Sequence, residues 1–129
     1  MVLTERLPES QLTVFELIAL GRQPYTNWID TLSEIDLEKI NTAIDQTEIG
    51  HLKSNRFYEL SDGQLQRVLI ARALAQDTEV IILDEPTAHL DMHQTINIFS
   101  LLQKLVQQTK KTIIISSHEI NLALQLSDE

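Results

Sequence analysis

The 129-residue chain carries 19 acids against 10 bases, a formal net charge of -9, and no cysteine. Disulfide and thiolate chemistry are thereby excluded, and a surface this acidic disfavours nucleic acid or anionic lipid as a general partner. With 43% hydrophobic and 22% charged residues, the composition is that of one ordinary globular domain, and no apolar run approaches the length that spans a bilayer.

In chain order, residues 2–6 (V-L-T-E-R) read as the tail of a strand. Thr13 and Glu16 have the spacing of a capping box, in which each side chain satisfies the other's free backbone N–H. They open a helix through Val14, Leu17, Ile18 and Leu20 that is expected to end near Gly21. Ser33 caps a further helix, roughly residues 34–46, with Leu37, Ile40 and Ile44 expected on its buried face. Its acids Glu34, Asp36 and Glu38 lie in the first turns, where the helix dipole favours them in a structural role. Residues 50–58 read as a connector, in which His51 and Arg56 have no neighbour that would make them a site.

The stretch from Leu60 to Asp91 carries the strongest signals. Ser61 and Gln64 form a second capping box and start a helix over residues 65–76. A helix start offers free N–H groups and a positive dipole end, which suit an anion such as phosphate. Residues 80–83 (V-I-I-L) are a short apolar β-branched run, expected to be a strand buried on both faces. Asp84 and Glu85 sit where it ends and Pro86 stops it. Ligands collect at the carboxyl ends of parallel strands, so this acid pair is placed for a metal ion and a base. Asp91 has the position of a helix cap. The next helix, about residues 92–108, is expected to bury Ile96, Phe99, Leu102 and Val106 and lead to a second strand over residues 112–116. Strand, helix, strand in this order predicts a parallel, right-handed unit. His118 follows the second strand, and residues 119–126 read as a short helix. His89 and His93 are four apart, a poor basis for a metal site.

Taken together, L-S-D-G-Q (Leu60 to Gln64), the Q-R-x-x-I-A-R-A-L that follows, and V-I-I-L-D-E (Val80 to Glu85) resemble the signature loop, signature helix and Walker B strand of the nucleotide-binding domain of ABC transporters. The segment T-V-F-E-L-I-A-L-G-R-Q-P-Y (residues 13–25) resembles the helical subdomain of importers for iron-siderophore, haem and cobalamin. The resemblance implies an α/β fold: a partial P-loop NTPase core with parallel strands plus an α-helical subdomain, truncated at both ends. It divides the chain into residues 1–8 (end of a core strand and Q-loop), 9–60 (helical subdomain) and 61–129 (signature helix, Walker B, D-loop and H-loop).

The resemblance also implies roles. ATP and Mg²⁺ are the expected cofactors. Asp84 would hold Mg²⁺, Glu85 would act as base on the attacking water, and His118 would hydrogen-bond the γ-phosphate. Ser61, Asp62, Gly63 and Gln64 would meet ATP held by a second, head-to-tail subunit, with Asp91 communicating across that dimer. Asp62 stands where the family usually has glycine; its carboxylate either faces the triphosphate, and repels it, or points to solvent. Glu5 aligns with the Q-loop glutamine that reaches the metal, as a substituted Q-loop or as a surface acid. The helical subdomain would touch a membrane permease, with Tyr25 and Trp28 at that contact or packed within the subdomain. A cytoplasmic location against the inner face of the cell membrane follows, with no nucleic-acid partner.

Gly21, Gly50 and Gly63 are the only glycines, and none starts a G-x-x-x-x-G-K-[ST] phosphate loop. The chain is therefore expected to be a piece of a longer protein, inactive by itself and prone to self-association through open strand edges. Two other readings are a non-hydrolysing interaction module and a soluble ABC-type protein acting on DNA or ribosomes. The acidic balance and the importer-like residues 13–25 argue against the last.

Overall fold

The computed structural model of the protein describes residues 11–25 and 32–116. The expectations for residues 2–6, Glu5, Trp28, His118, residues 119–126 and the side chain of Tyr25 lie outside what it describes.

Helix α1 (Val14–Ala19) runs into a 3₁₀ turn over Leu20–Tyr25; α2 is Glu34–Thr47, α3 Asp62–Ala75, β1 Val80–Asp84, α4 Met92–Thr109 and β2 Thr112–Ser116. Each α-helix starts at a capping box: Thr13 with Glu16, Ser33 with Asp36, Ser61 with Gln64 and Asp91 with Gln94. These boxes satisfy N–H groups that the helices cannot satisfy internally, and so fix where each begins. β1 and β2 pair in parallel, from Val80 opposite Thr112 to Asp84 opposite Ser116, with α4 as the crossover. The expected βαβ unit is present.

Helix α3 lies at the centre. It packs against α1 and α2 on its way in, and against α4 and β1 beyond. One contiguous cluster of buried side chains runs from Val14, Leu17 and Ile18 through Ile40, Ile44 and Val68 to Ile98, Phe99 and Leu105. Burying one such aliphatic or aromatic side chain contributes about 1.5–3 kcal/mol, so this cluster dominates the stability. Gly21 allows α1's continuation to reach α3: a Cβ there would fall 2.3 Å from the carbonyl oxygen of Arg72.

Three expectations need correction. β1 is not buried on both faces: Ile81 is 3% exposed, but Ile82 is 71% exposed and Ile114 beside it 50%. On that face Ile82 borders an open pocket shared with α3 instead of a packed layer. In α2, Leu37 is exposed while Asp36 is buried. The Nε of Arg22 donates to Asp36 Oδ1 at 2.8 Å within the protein, which turns the Asp36 side of the helix inward. In α4, Ile96 is exposed and Val106 only half-buried; the buried stripe is Thr95, Ile98, Phe99, Leu101, Leu102 and Leu105. That face is wide enough to meet both α3 and β2, and Phe99 and Leu102 are the members that the periodicity identifies correctly.

Candidate functional site

Ser61 begins the site. It sits in extended backbone (φ -70°, ψ 167°) and its Oγ accepts from the Gln64 N–H at 3.1 Å, while Gln64 Oε1 accepts from the Ser61 N–H at 2.9 Å. Ser61 and Asp62 are both exposed, so this helix tip opens to solvent. Asp62 stands in the first turn, where a carboxylate is favoured by the dipole.

Gly63 has a second neighbour that the sequence did not announce. A Cβ on Gly63 would lie 3.3 Å from Nε2 of Gln94 and 3.5 Å from its Cδ. Gly63 does not have a positive φ, so its backbone does not demand glycine. Glycine inside a helix costs roughly 0.5–1 kcal/mol relative to alanine, and the space it leaves is filled by Gln94. That side chain belongs to the capping box of α4: Gln94 N–H donates to Asp91 Oδ1 at 2.7 Å and Gln94 Oε1 accepts from the Asp91 N–H at 3.3 Å. The starts of α3 and α4 therefore stand side by side, with Asp91 capping the second. The one signal for Gln94 in the sequence is its place three residues after Asp91.

Asp84 and Glu85 stand where the parallel strand ends. Asp84 is the last residue of β1 and is exposed. Glu85 has φ 49°, a left-handed conformation that costs a non-glycine residue roughly 1–2 kcal/mol. Its N–H donates to the Ser116 carbonyl oxygen at 2.6 Å, which holds the turn. Uncommon backbone of this kind collects at functional sites. Pro86 is buried, and Ala88 N–H closes the turn on the Glu85 carbonyl at 3.1 Å. A pocket of about 490 Å³ opens beside this strand end, lined in part by Gln66, Leu69 and Ala73 of α3 and by Ile82, Asp84 and Pro86.

Around the site the helices are tied by charge. The Arg22 guanidinium, 5% exposed, contacts Asp36 and also donates from Nη1 to the Ala75 carbonyl oxygen at 2.8 Å, joining α2 to the end of α3. At the other end of α2, Arg67 Nη1 donates to the Thr47 carbonyl oxygen at 3.0 Å, and Lys104 of α4 pairs with Glu48 at 2.9 Å. Lys104 holds the Glu48 carboxyl below its ordinary range. Asp77, in a left-handed turn (φ 60°), receives both Lys39 at 3.0 Å and Lys111 at 3.2 Å. Arg22 was legible only as part of G-R-Q-P-Y; nothing in the sequence paired it with Asp36. His93 Nε2 meets the Asn97 amide at 3.4 Å.

The parallel unit, the capped tip of α3 and the acid pair at the end of β1 form the same ensemble as a known family. A family model described as ABC transporter matches residues 1–88. The achromobactin transport ATP-binding protein of Dickeya dadantii is 47% identical over 117 residues, 91% of this chain and 44% of that protein. Among solved structures, an ABC transporter assigned to the metal-chelate type, in an inward-facing conformation, superposes with a TM-score of 0.83 at 30% identity, over 95% of this chain and 49% of its own. The dimeric structure of a bacterial ABC transporter cassette superposes at 0.69 with 28% identity, over 99% of this chain and 54% of its own. This chain belongs to the ABC transporter family, and its α/β fold is that of part of the family's ATP-binding cassette. It spans less than half the length of the first curated relatives it matches.

Proposed function

We propose that these residues are the signature and Walker B portion of the ATP-binding subunit of an importer for chelated iron. The observation that carries this is the pairing of an exposed, Ser61-capped helix tip with the acids Asp84 and Glu85 at the end of a parallel strand. Relatives named for siderophore and iron(3+)-hydroxamate import support the substrate class, and the importer-like residues 13–25 agree with it.

The residues fit a magnesium nucleotide. Among the described residues no three acids or histidines converge as a metal cage. The acid pair at the end of β1 suits Mg²⁺, which keeps several waters and takes one or two carboxylates together with substrate phosphates. Asp84 is the residue to hold it, with Glu5 a second candidate on the Q-loop side. Bound Mg²⁺ would offset phosphate charge. Glu85 accepts a proton from the attacking water, a general-base role whose efficiency depends on placement. The bond from Glu85 N–H to Ser116 supports that placement, and His118, two residues further along the sequence, is the candidate for the γ-phosphate contact. Ser61, Asp62, Gly63 and Gln64 present the tip of α3 to nucleotide held by a second copy arranged head to tail, with Asp91 at the same junction. Residues 9–60 act as the helical subdomain that meets a membrane permease, which puts the protein on the inner face of the cell membrane. No helix of the described residues is long and apolar enough to cross a membrane.

No phosphate loop occurs among the 129 residues. The chain by itself is therefore expected to show no Mg²⁺-dependent ATP hydrolysis, because the backbone cradle and lysine for the phosphates are missing. A chimera in which these residues replace the region they match in the Dickeya dadantii subunit should hydrolyse ATP. An inactive but folded chimera would overturn the proposal, and so would turnover by the 129-residue chain.

A further inference from the structure

The contact between Gly63 and Gln94 joins two elements that the sequence treats separately. The Gln94 terminal amide has one atom in each junction: Oε1 accepts from the Asp91 N–H, and Nε2 lies 3.3 Å from where a Gly63 Cβ would be. Gly63 is half-buried, and Gln94 is half-buried against it. The missing Cβ is therefore a fitted space rather than a backbone requirement, since Gly63 lies at ordinary helical φ. The capping bonds of Gln94 in turn hold the Asp91 turn at the start of α4. A Cβ at Gly63 would press on the Gln94 amide and, through its capping bonds, on that turn.

We propose that Gln94 is a positioning residue: it locks the Asp91 turn of α4 to the Ser61–Gly63 turn of α3 so that both present to the partner subunit as one rigid edge. The inference rests on the functional reading above for its consequence, but the lock itself does not. Gln94 touches no reacting atom in this scheme; it acts through Asp91 and Gly63.

A cycle of Gly63→Ala, Gln94→Ala and the double substitution tests it at two levels. In the 129-residue chain, hydrogen exchange at the bonded amides of Gln64, Leu65, Gln94 and Thr95, which lie within residues 62–65 and 92–95, reads the lock. Either single substitution should speed exchange at both helix starts together, and the double should exchange more slowly at residues 62–65 than Gly63→Ala alone. Changes confined to the substituted helix would overturn the lock, whatever the function. In the chimera, Gly63→Ala should lower kcat about tenfold with little change in KM, and Gln94→Ala added to it should restore several-fold, as expected for neighbours that couple. Additive losses would show that the Gly63 space serves the nucleotide and not Gln94, and would overturn the positioning role. The conservative Gln94→Glu keeps an acceptor for the Asp91 N–H and should retain exchange protection at residues 92–95; full loss there would also count against it. A chimera inactive before any of these substitutions would refute the proposed function and leave the exchange result to decide the lock.

Discussion

The N–H of Glu85 donates to the carbonyl oxygen of Ser116 at 2.6 Å, one residue past the end of the β1 ladder. The bond holds Glu85 in a left-handed conformation and aims a carboxylate-bearing residue from the strand tip. If Glu85 is the base, Glu85→Gln in the chimera keeps the side chain's shape and the backbone bond to Ser116 but cannot take a proton. Hydrolysis should fall about 10²–10⁴-fold, while ATP binding persists and a nucleotide-bound dimer accumulates. Steady-state turnover and size-exclusion chromatography with ATP read both halves. Unchanged turnover would remove Glu85 from the base role.

The Arg22–Asp36 pair is buried on both sides, with side chains 6% and 5% exposed. Asp36→Ala removes both the carboxylate that Arg22 contacts and the acceptor of the Ser33 capping box, and should destabilise the 129-residue chain by about 3–5 kcal/mol. Replacing both with apolar residues, as in Arg22→Met with Asp36→Leu, should recover part of that, since the bonds to the Ala75 carbonyl and the Ser33 N–H are lost as well. Lys104→Ala breaks an exposed pair with Glu48 and should cost about 0–1 kcal/mol. Urea unfolding orders the three variants. Equal losses for Asp36→Ala and Lys104→Ala would contradict this account.

Acid should act through the same carboxylates. The Ser33 backbone hydrogen bond lowers the Asp36 pKa most, and contacts with Arg22 and Ser33 add to it, while burial pushes the other way. Asp77 is lowered chiefly by its hydrogen bond to Lys39, and Glu48 by its hydrogen bond to Lys104. A group whose folded pKa is depressed stabilises fully above its unfolded value, near about 4 for a carboxylate, and that stability is lost as pH falls through the folded value. The urea midpoint should therefore be flat from neutral pH to about 5 and fall below about 4. The fall should be shallower for Asp36→Asn, whose residue 36 binds no proton. An identical slope in that variant would exclude Asp36 as a contributor.

The outer face of the sheet offers a further test. Val80, Ile82 and Ile114 are exposed together, and uncovered apolar strands recruit other chains. The 129-residue chain should self-associate in light scattering, and Ile82→Lys with Ile114→Lys should shift it toward monomer. A stable monomer before substitution would sink this expectation.

Where helices begin was legible because a capping box is a local code: Thr13 and Glu16, or Ser61 and Gln64, state it within four residues. The parallel unit was legible for the same reason, from two apolar runs joined by one helix. Side-chain facing was less so. Leu37 and Ile96 fit the apolar period, yet a buried Arg22–Asp36 pair rotates α2 and the demands of α3 and β2 widen the buried face of α4. Of the candidate site, the acid pair at Asp84 and Glu85 could be read from strand and proline; the left-handed turn at Glu85 and the Gly63–Gln94 contact arise from tertiary packing, which no short spacing encodes. Gly63 read only as a residue that would meet ATP, because its neighbour Gln94 is distant in sequence.

Asp77 carries a consequence for the order of folding. Its carboxylate gathers Lys39 from one side and Lys111 from 34 residues further along the chain. Closing loops of that length must precede any gain from the contact, whereas each capping box forms within a single turn. The Asp77 junction should thus assemble after the transition state, with Lys111→Met speeding unfolding and leaving the refolding rate nearly unchanged. Slower refolding in that variant would instead put the junction in the nucleus.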